Sequence, residues 1–251
     1  PFTEGGAMAG PRNTAVALAE IESSRGGTST GAFFDMDGTL IHGHSATHLS
    51  SDRLKRRELQ LEEVFDTLRA GLNMSLGKAE FDALLEVAAR SWAGRKHEDL
   101  LKMGERLFSR KLVNLIFPEM RSIVRAHQAR GHTVVLCSSA TCYQVEPVAR
   151  HLGIEHVLCN RFALNEQGEL TGRIDPPVLW GEGKARVVQR FARDRNIDLH
   201  DSYFYADGDE ELGLMHLVGK PRPTNPGKRL ENVARRRGWP VQKFYSRKEN
   251  S

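Results

Sequence analysis

The chain has 251 residues, 39% of them hydrophobic and 27% charged, with a formal net charge of +4, the profile of a globular protein built as one large domain or as a core with an insert. No apolar stretch approaches the ~20 residues that would span a bilayer, and no basic region followed by an apolar run marks a secretory signal, so a cytoplasmic location is expected. Three cysteines (Cys137, Cys142, Cys159) without a CxxC pair exclude a disulfide framework and a zinc finger, and their apolar neighbours predict buried thiols.

Pro1 to Ala7 reads as an expression-vector scar, with Met8 as a native start. A short helical pattern follows (Val16, Leu18, Ala19, Ile21) and stops at Gly26-Gly27, giving a flanking arm. Gly31 to Phe34 is an apolar run short enough for a buried strand. It ends in Asp35-Met36-Asp37-Gly38-Thr39, two carboxylates one residue apart. From about Leu49 to Gly131 the spacing is helical: Leu59, Val64 and Leu68 share one face, Phe81, Leu84, Leu85 and Ala88 another, and Leu100, Leu101, Leu107 and Phe108 follow. Gly71, Gly94 and Pro118 punctuate this helical insert, and its last helix, about Pro118 to Arg130, leads back into the core.

Thr133 to Cys137 and His156 to Cys159 then read as short strands separated by a helix through Val145 to Leu152. Arg161 to Ile174 alternates about Asn165-Glu166-Gln167-Gly168, a hairpin signal. Lys184 to Arg195 is a basic amphipathic helix, Ser202 to Ala206 a strand ending at Asp207, and a shorter strand near Leu217-Val218 precedes a proline-rich turn, Pro221 to Pro226. This alternation predicts an α/β fold: a Rossmann-like, mostly parallel sheet with helices on both faces and an inserted helical cap.

The carboxyl ends of parallel strands face one side of a sheet. Asp35 and Asp37, Ser138 and Ser139, and Asp207 with Asp209, Glu210 and Glu211 therefore converge, joined by Lys184 after Gly181-Glu182-Gly183. Two acids as close as Asp35 and Asp37 repel unless a cation or a proton is shared. An oxygen-rich cluster with a lysine and hydroxyls suits Mg2+ and a phosphoryl group. Taken alone, Asp-Gly is also a common turn and Lys184 an exposed helix lysine, and Asp209 and Glu210 read as solvated loop acids rather than ligands.

These four motifs in order resemble the haloacid dehalogenase (HAD) superfamily, in its phosphoserine-phosphatase-like branch (subfamily IB) with a helical, C1-type cap. The likeness runs from Gly31 to Phe244. Ser138-Ser139-Ala140-Thr141, Gln144-Val145-Glu146-Pro147, Leu170-Thr171-Gly172-Arg173 and Gly238-Trp239-Pro240 are most similar to HAD modules associated with 1-acylglycerol-3-phosphate acyltransferases. No acyltransferase sequence is present here.

The resemblance implies residues 31–42 and 131–244 as catalytic core, 43–130 as cap, 1–30 as scar and arm, and 245–251 as tail. It implies Asp35 as nucleophile forming an aspartyl-phosphate, Asp37 as general acid and base, and Thr39, Ser138 and Lys184 as phosphate ligands. Mg2+ would be held by Asp35, the Asp37 main-chain carbonyl and Asp207. Where relatives end the fourth motif in aspartate this chain has Glu211, which reaches metal through water or braces Lys184. Phosphoserine phosphatases carry a glutamate nine residues after the nucleophile, for the substrate ammonium group; here His44 stands there, which argues against phosphoserine.

His44 and Arg56, with Arg53 and Arg57, are the expected specificity residues, for a small or lysolipid phosphomonoester such as glycerol phosphate or lysophosphatidic acid. Peripheral membrane contact and an acyltransferase partner follow as expectations. The alternatives are a phosphoserine-phosphatase-like metabolite phosphatase, a mutase, or a non-catalytic module that binds a lipid-synthesis partner. Basic clusters such as Arg235 to Arg237 are interleaved with acids and lack aromatic partners, so nucleic acid is not an expected ligand.

Overall fold

The first apolar run is β1 (Thr30–Phe34), buried along its whole length. It lies inside a six-stranded sheet with β2 (Thr133–Thr141), β3 (His156–Leu164), β4 (Leu170–Asp175), β5 (Asp198–Ala206) and β6 (Lys220–Pro223). The computed structural model describes residues 11–55 and 77–244. The order is β4-β3-β2-β1-β5-β6, parallel throughout except for the β3–β4 hairpin turning at Asn165 to Gly168.

The two-residue period of a strand divides β1 between two cores. Ala32 and Phe34 pack with Val134, Leu136 and Tyr205 against α1 (Pro11–Ser23), α5 (Pro118–Ala129) and α6 (Cys142–Leu152). Phe33 faces the other way, with Val135, Cys137 and Phe204, onto α7 (Glu182–Asp194), α8 (Leu212–Leu217) and α9 (Lys228–Arg237). Strands covered on both faces must be apolar at successive positions, which is why these runs are short and continuous rather than alternating.

Between β1 and α5 come α2 (Ser45–Lys55), α3 (Lys78–Ser91) and α4 (His97–Arg110). Of the predicted faces of α3 and α4, Leu85, Leu100 and Leu107 are buried while Phe81, Leu84, Ala88, Leu101 and Phe108 are half-buried, and Ala89 and Met103 are buried beside them. The Phe81 ring of α3 stacks on Trp180, in the segment before α7, at 4.2 Å. In α4, a side-chain carbon at Gly104 would meet the Tyr143 carbonyl at 2.0 Å, so the glycine permits close approach to α6. Leu59, Val64, Leu68, Arg56 and Arg57 lie outside the described residues.

Three expectations need correction. In α1 the inward face is Thr14, Ala17 and Ile21, while Val16 is 59% exposed and Ala19 is also exposed, because i, i+3 and i+7 share a face. Leu217 ends a helix rather than forming a strand, and the strand is Lys220–Pro223, overlapping the start of the stretch read as a turn. The reason is its place at the edge of the sheet. The Thr224 amide donates to the Ala206 carbonyl, so even-numbered amides point toward β5, and Pro221 and Pro223 occupy outward positions where no donor is required. Finally, Asp209 is no solvated loop acid: its Oδ1 accepts the Leu230 amide at 2.8 Å, in the first turn of α9.

The three cysteines are buried and unpaired, as expected. Burial pushes the Cys142 thiol up to about 11 and Cys159 up to about 12, so both are inert at neutral pH. Among the described residues, no helix is long and apolar enough to cross a membrane.

Candidate active site

β1 and β5 are adjacent and parallel, so Asp35 and Asp207, each one residue past its strand, meet at the same edge. The Asp35 amide donates to the Tyr205 carbonyl at 2.9 Å, continuing the ladder to the brink of the site. Ser138 reaches that edge from β2 and is buried; its Oγ accepts the Ala140 amide at 3.2 Å, where the pairing with β3 shifts register. The crossing helix α7 brings Lys184, at its third position, beneath the two strand ends.

Lys184 is fully buried, its Nζ 3.2 Å from Asp35 Oδ1 and also bonded to Glu211 Oε1. Burial alone would lower the lysine pKa, but the charges of Asp35 and Glu211 outweigh it and hold the ammonium well above its ordinary range. Glu211 thus braces Lys184 directly, one of the two readings of that position. Glu210, half-buried beside them, is raised chiefly by burial, with Asp35 and Asp209 adding repulsion.

Asp37 follows in the turn after β1, where the Leu40 and Ile41 amides both donate to the Met36 carbonyl and the Gly38 amide to Gly43. Burial pushes the Asp37 carboxyl up to about 6, and the Asp35 charge adds to the rise; the Ser45 amide and hydroxyl, at 2.9 and 3.0 Å, oppose it. That value suits a group that must both give and take a proton near neutrality. His44, half-buried one residue before Ser45, also favours the charged form of Asp37. His48 titrates below its ordinary value, through burial and then the neighbouring Lys111, His42 and His44, so these four side chains share one neighbourhood.

Thr39 is fully buried, and its hydroxyl lies 3.5 Å from Asp207 Oδ1. Asp207 is pushed well above the carboxylate range by burial and then by the charges of Asp35, Glu210 and Asp37. Lys184 is committed to Asp35 and Glu211, so an excess of negative charge remains around Asp207, the condition a divalent cation relieves. Among the described residues, no three His, Cys, Asp or Glu side chains are grouped as a metal cage. The donors expected from the sequence are the carboxylates of Asp35 and Asp207 with the Asp37 main-chain carbonyl. This sparse oxygen set fits Mg2+, which keeps several waters and takes one or two carboxylates plus substrate oxygens.

A cavity of about 230 Å³ opens beside Asp207 and Gly38, walled by His42, Phe117, Asn225 and Phe244. Asn225 ties that wall to the turn: its Nδ2 donates to the Gly38 carbonyl at 3.0 Å and its Oδ1 accepts the Phe244 amide at 2.7 Å. Asn160, fully buried in the middle of β3, makes two further links. It donates to the Ser139 carbonyl at 2.6 Å and accepts the Leu179 amide at 2.8 Å, so the last part of β2 and the approach to Lys184 are held together.

Asp35, Asp37, Thr39, Ser138, Lys184, Asp207 and Glu211 therefore share one edge of the sheet, with His44 at its rim. Arg56 lies outside the described residues. Sequence reading did not assign Ser45, Asn160 or Asn225 to the site. Gln144 does carry a sequence signal, since Thr141-x-x-Gln144 has the form of a helix capping box.

The sequence profile of haloacid dehalogenase-like hydrolases matches residues 32–215. A phosphoserine phosphatase of Mycobacterium tuberculosis is 29% identical over 217 residues, 85% of this chain and 70% of that protein. A histidinol-phosphatase of Neisseria meningitidis is 28% identical over 224 residues, 85% and 98% of the two chains. Among solved structures, a substrate-bound phosphoserine phosphatase shares the fold with a TM-score of 0.62 at 16% identity, covering 86% of this chain and 93% of its own.

Proposed function

The chain belongs to the haloacid dehalogenase-like hydrolase family, and from that premise we propose that it is an Mg2+-dependent phosphomonoester hydrolase working through a phosphorylated Asp35. The observation that carries this reading is Lys184 Nζ, buried and 3.2 Å from Asp35 Oδ1, with Asp37 held two residues away at a raised pKa. The lysine fixes the orientation of the Asp35 carboxylate that would attack.

In the first step an Asp35 oxygen bonds to phosphorus as the bond to the ester oxygen breaks, and Asp37 gives that oxygen its proton. In the second, Asp37 takes a proton from water as the water oxygen bonds to phosphorus and the bond to Asp35 breaks, releasing inorganic phosphate. Thr39, Ser138 and Lys184 hold the phosphoryl oxygens. Mg2+, held by Asp35, Asp207 and the Asp37 carbonyl, supplies charge neutralisation and orientation when bound. Of the expected cap, residues 43–130, the helices before α5 would shield the leaving-group side from water, whereas α5 packs against the sheet as part of the core.

The substrate is a small or lysolipid phosphomonoester of the glycerol phosphate or lysophosphatidic acid type. Support comes from Lys111, whose charge reaches the neighbourhood of His42, His44 and His48 and opposes an ammonium group there. Peripheral contact with a membrane and partnership with an acyltransferase accompany the lysolipid form of this reading. The names of the relatives favour a second reading, an amino-alcohol phosphate such as phosphoserine or histidinol phosphate.

Hydrolysis of a panel holding glycerol 3-phosphate, lysophosphatidic acid, phosphoserine and histidinol phosphate, with Mg2+ and then with a chelator, tests both readings. Turnover should need Mg2+ and vanish in Asp35→Asn. Activity that survives chelation and the substitution would overturn the mechanism, and phosphoserine or histidinol phosphate as best substrate would overturn the lysolipid assignment.

A further inference from the structure

Asp37 is buried beside the charge of Asp35, an environment that turns a carboxylate away unless donors hold it. The donors form a chain whose direction can be worked out atom by atom. The Thr141 amide and hydroxyl both donate to Gln144 Oε1, at 3.2 and 2.8 Å. With its oxygen so occupied, the Gln144 amide presents Nε2 to Ser45 Oγ at 3.0 Å. An amide nitrogen only donates, so Ser45 Oγ accepts and its own hydrogen is free to go onward. It goes to Asp37 Oδ2 at 3.0 Å, while the Ser45 amide reaches Oδ1 at 2.9 Å.

Every donor in this chain points toward Asp37. Ser45 is fully buried and Gln144 nearly so, which keeps water from competing. Both carboxylate oxygens are engaged at once, so rotation about the terminal bond would break two hydrogen bonds. Thr141 lies just beyond Ser138 in β2, and Ser45 is the first residue of α2. The chain therefore joins the acid, the loop expected to hold a phosphoryl oxygen and the start of the helical insert.

We propose that Ser45 and Gln144 are positioning residues that aim Asp37 at the oxygen of the leaving group. This rests on the phosphatase reading above and adds two residues to it. Neither touches substrate; they act through Asp37. Their loss should therefore matter in proportion to how much the leaving group needs a proton. An alkyl alcohol leaves poorly without one, whereas p-nitrophenolate leaves readily unprotonated.

The test measures kcat/KM for the alkyl phosphate of the panel that the wild type hydrolyses best and for p-nitrophenyl phosphate, on the same preparations of wild type, Ser45→Ala, Ser45→Thr and Gln144→Met. Since general acid catalysis contributes on the order of 100-fold or more, the alkyl-to-aryl ratio should fall about tenfold in Ser45→Ala. It should fall in the same direction, by less, in Gln144→Met, and Ser45→Thr, which keeps the hydroxyl, should restore it. If Ser45→Ala does not fold, the ratio in Gln144→Met decides. An unchanged ratio, with both esters slowed equally or neither slowed, overturns the positioning role while leaving the phosphatase reading intact. A wild type inactive on every ester overturns that reading, and this proposal with it.

Discussion

The carboxylate of Asp207 lies against the α-carbon of Gly38, so that a side-chain carbon at the glycine would sit 2.0 Å from Oδ2. Gly38 also has φ +69°, a left-handed conformation that costs other residues about 1 kcal/mol. Sequence reading sees Asp-Gly there as a turn; the structure shows the glycine leaving room for an acid from another strand.

Gly38→Ala should therefore be a variant of activity more than of folding. The added carbon displaces Asp207 from its place beside Asp35, and since a misplacement of ~1 Å can cost on the order of 100-fold in rate, turnover should fall by about that factor. The melting temperature should drop only modestly. Kinetics at saturating and limiting Mg2+, with a thermal melt on the same sample, check this: the loss should be larger at limiting metal.

Glu211 separates charge from shape. Its Oε1 bonds the buried Lys184 and its Oε2 has no hydrogen-bond partner. Glu211→Ala leaves Lys184 with Asp35 alone and opens a cavity, and breaking such a buried pair typically costs about 3–5 kcal/mol. Glu211→Gln keeps an acceptor for the lysine and should cost clearly less. Denaturant unfolding of the two variants gives the order directly; equal losses would mean that Glu211 contributes by charge and not by filling space.

A pH effect on stability is expected from behind the sheet. His132 Nε2 lies 2.9 Å from the Arg25 carbonyl, which can only accept, so that nitrogen carries the hydrogen. In a neutral ring His132 Nδ1 is then the acceptor for His127 Nδ1 at 2.7 Å, and His127 Nε2 accepts the Tyr205 hydroxyl at 2.9 Å. Burial holds His127 well below its ordinary pKa, and His132, Arg222 and Lys220 add repulsion. His132 is lowered too, by burial against its bond to Arg25, with Lys220 and Arg130 opposing charge. The unfolded chain therefore binds more protons than the folded one below about pH 6.5, the ordinary histidine range. Stability is present above that pH and is lost as pH falls, by at most about 1.4 kcal/mol per pH unit for each proton. His127→Gln should flatten the profile of melting temperature between pH 7 and 5.

Much of the architecture is legible in the sequence, because strands buried on both faces need uninterrupted apolar runs and such runs stand out between helical periods. Convergence at the carboxyl edge follows from strand order alone, so Asp35, Asp37, Ser138, Lys184 and Asp207 could be grouped in advance. What could not be read is which loops approach one another. Ser45 on Asp37, Asn160 between Ser139 and Leu179, and Asn225 under Gly38 are contacts between segments far apart in the chain or in a turn, and no local period encodes them. β6 escaped notice for the opposite reason: its prolines obey the chemistry of a sheet edge, which only the finished order of strands reveals.

That edge has a bearing on how copies of the chain behave together. The outward amides that another strand would seize are missing at Pro221 and Pro223, and the Pro223 carbonyl between them and solvent is already taken by the Gln242 amide at 2.8 Å. Exposed strand edges are templates for aggregation and swapping. On this flank the sheet ends with no ladder left to extend, so a crowded solution of the protein is protected there from edge-to-edge growth by two residues that take no part in the chemistry.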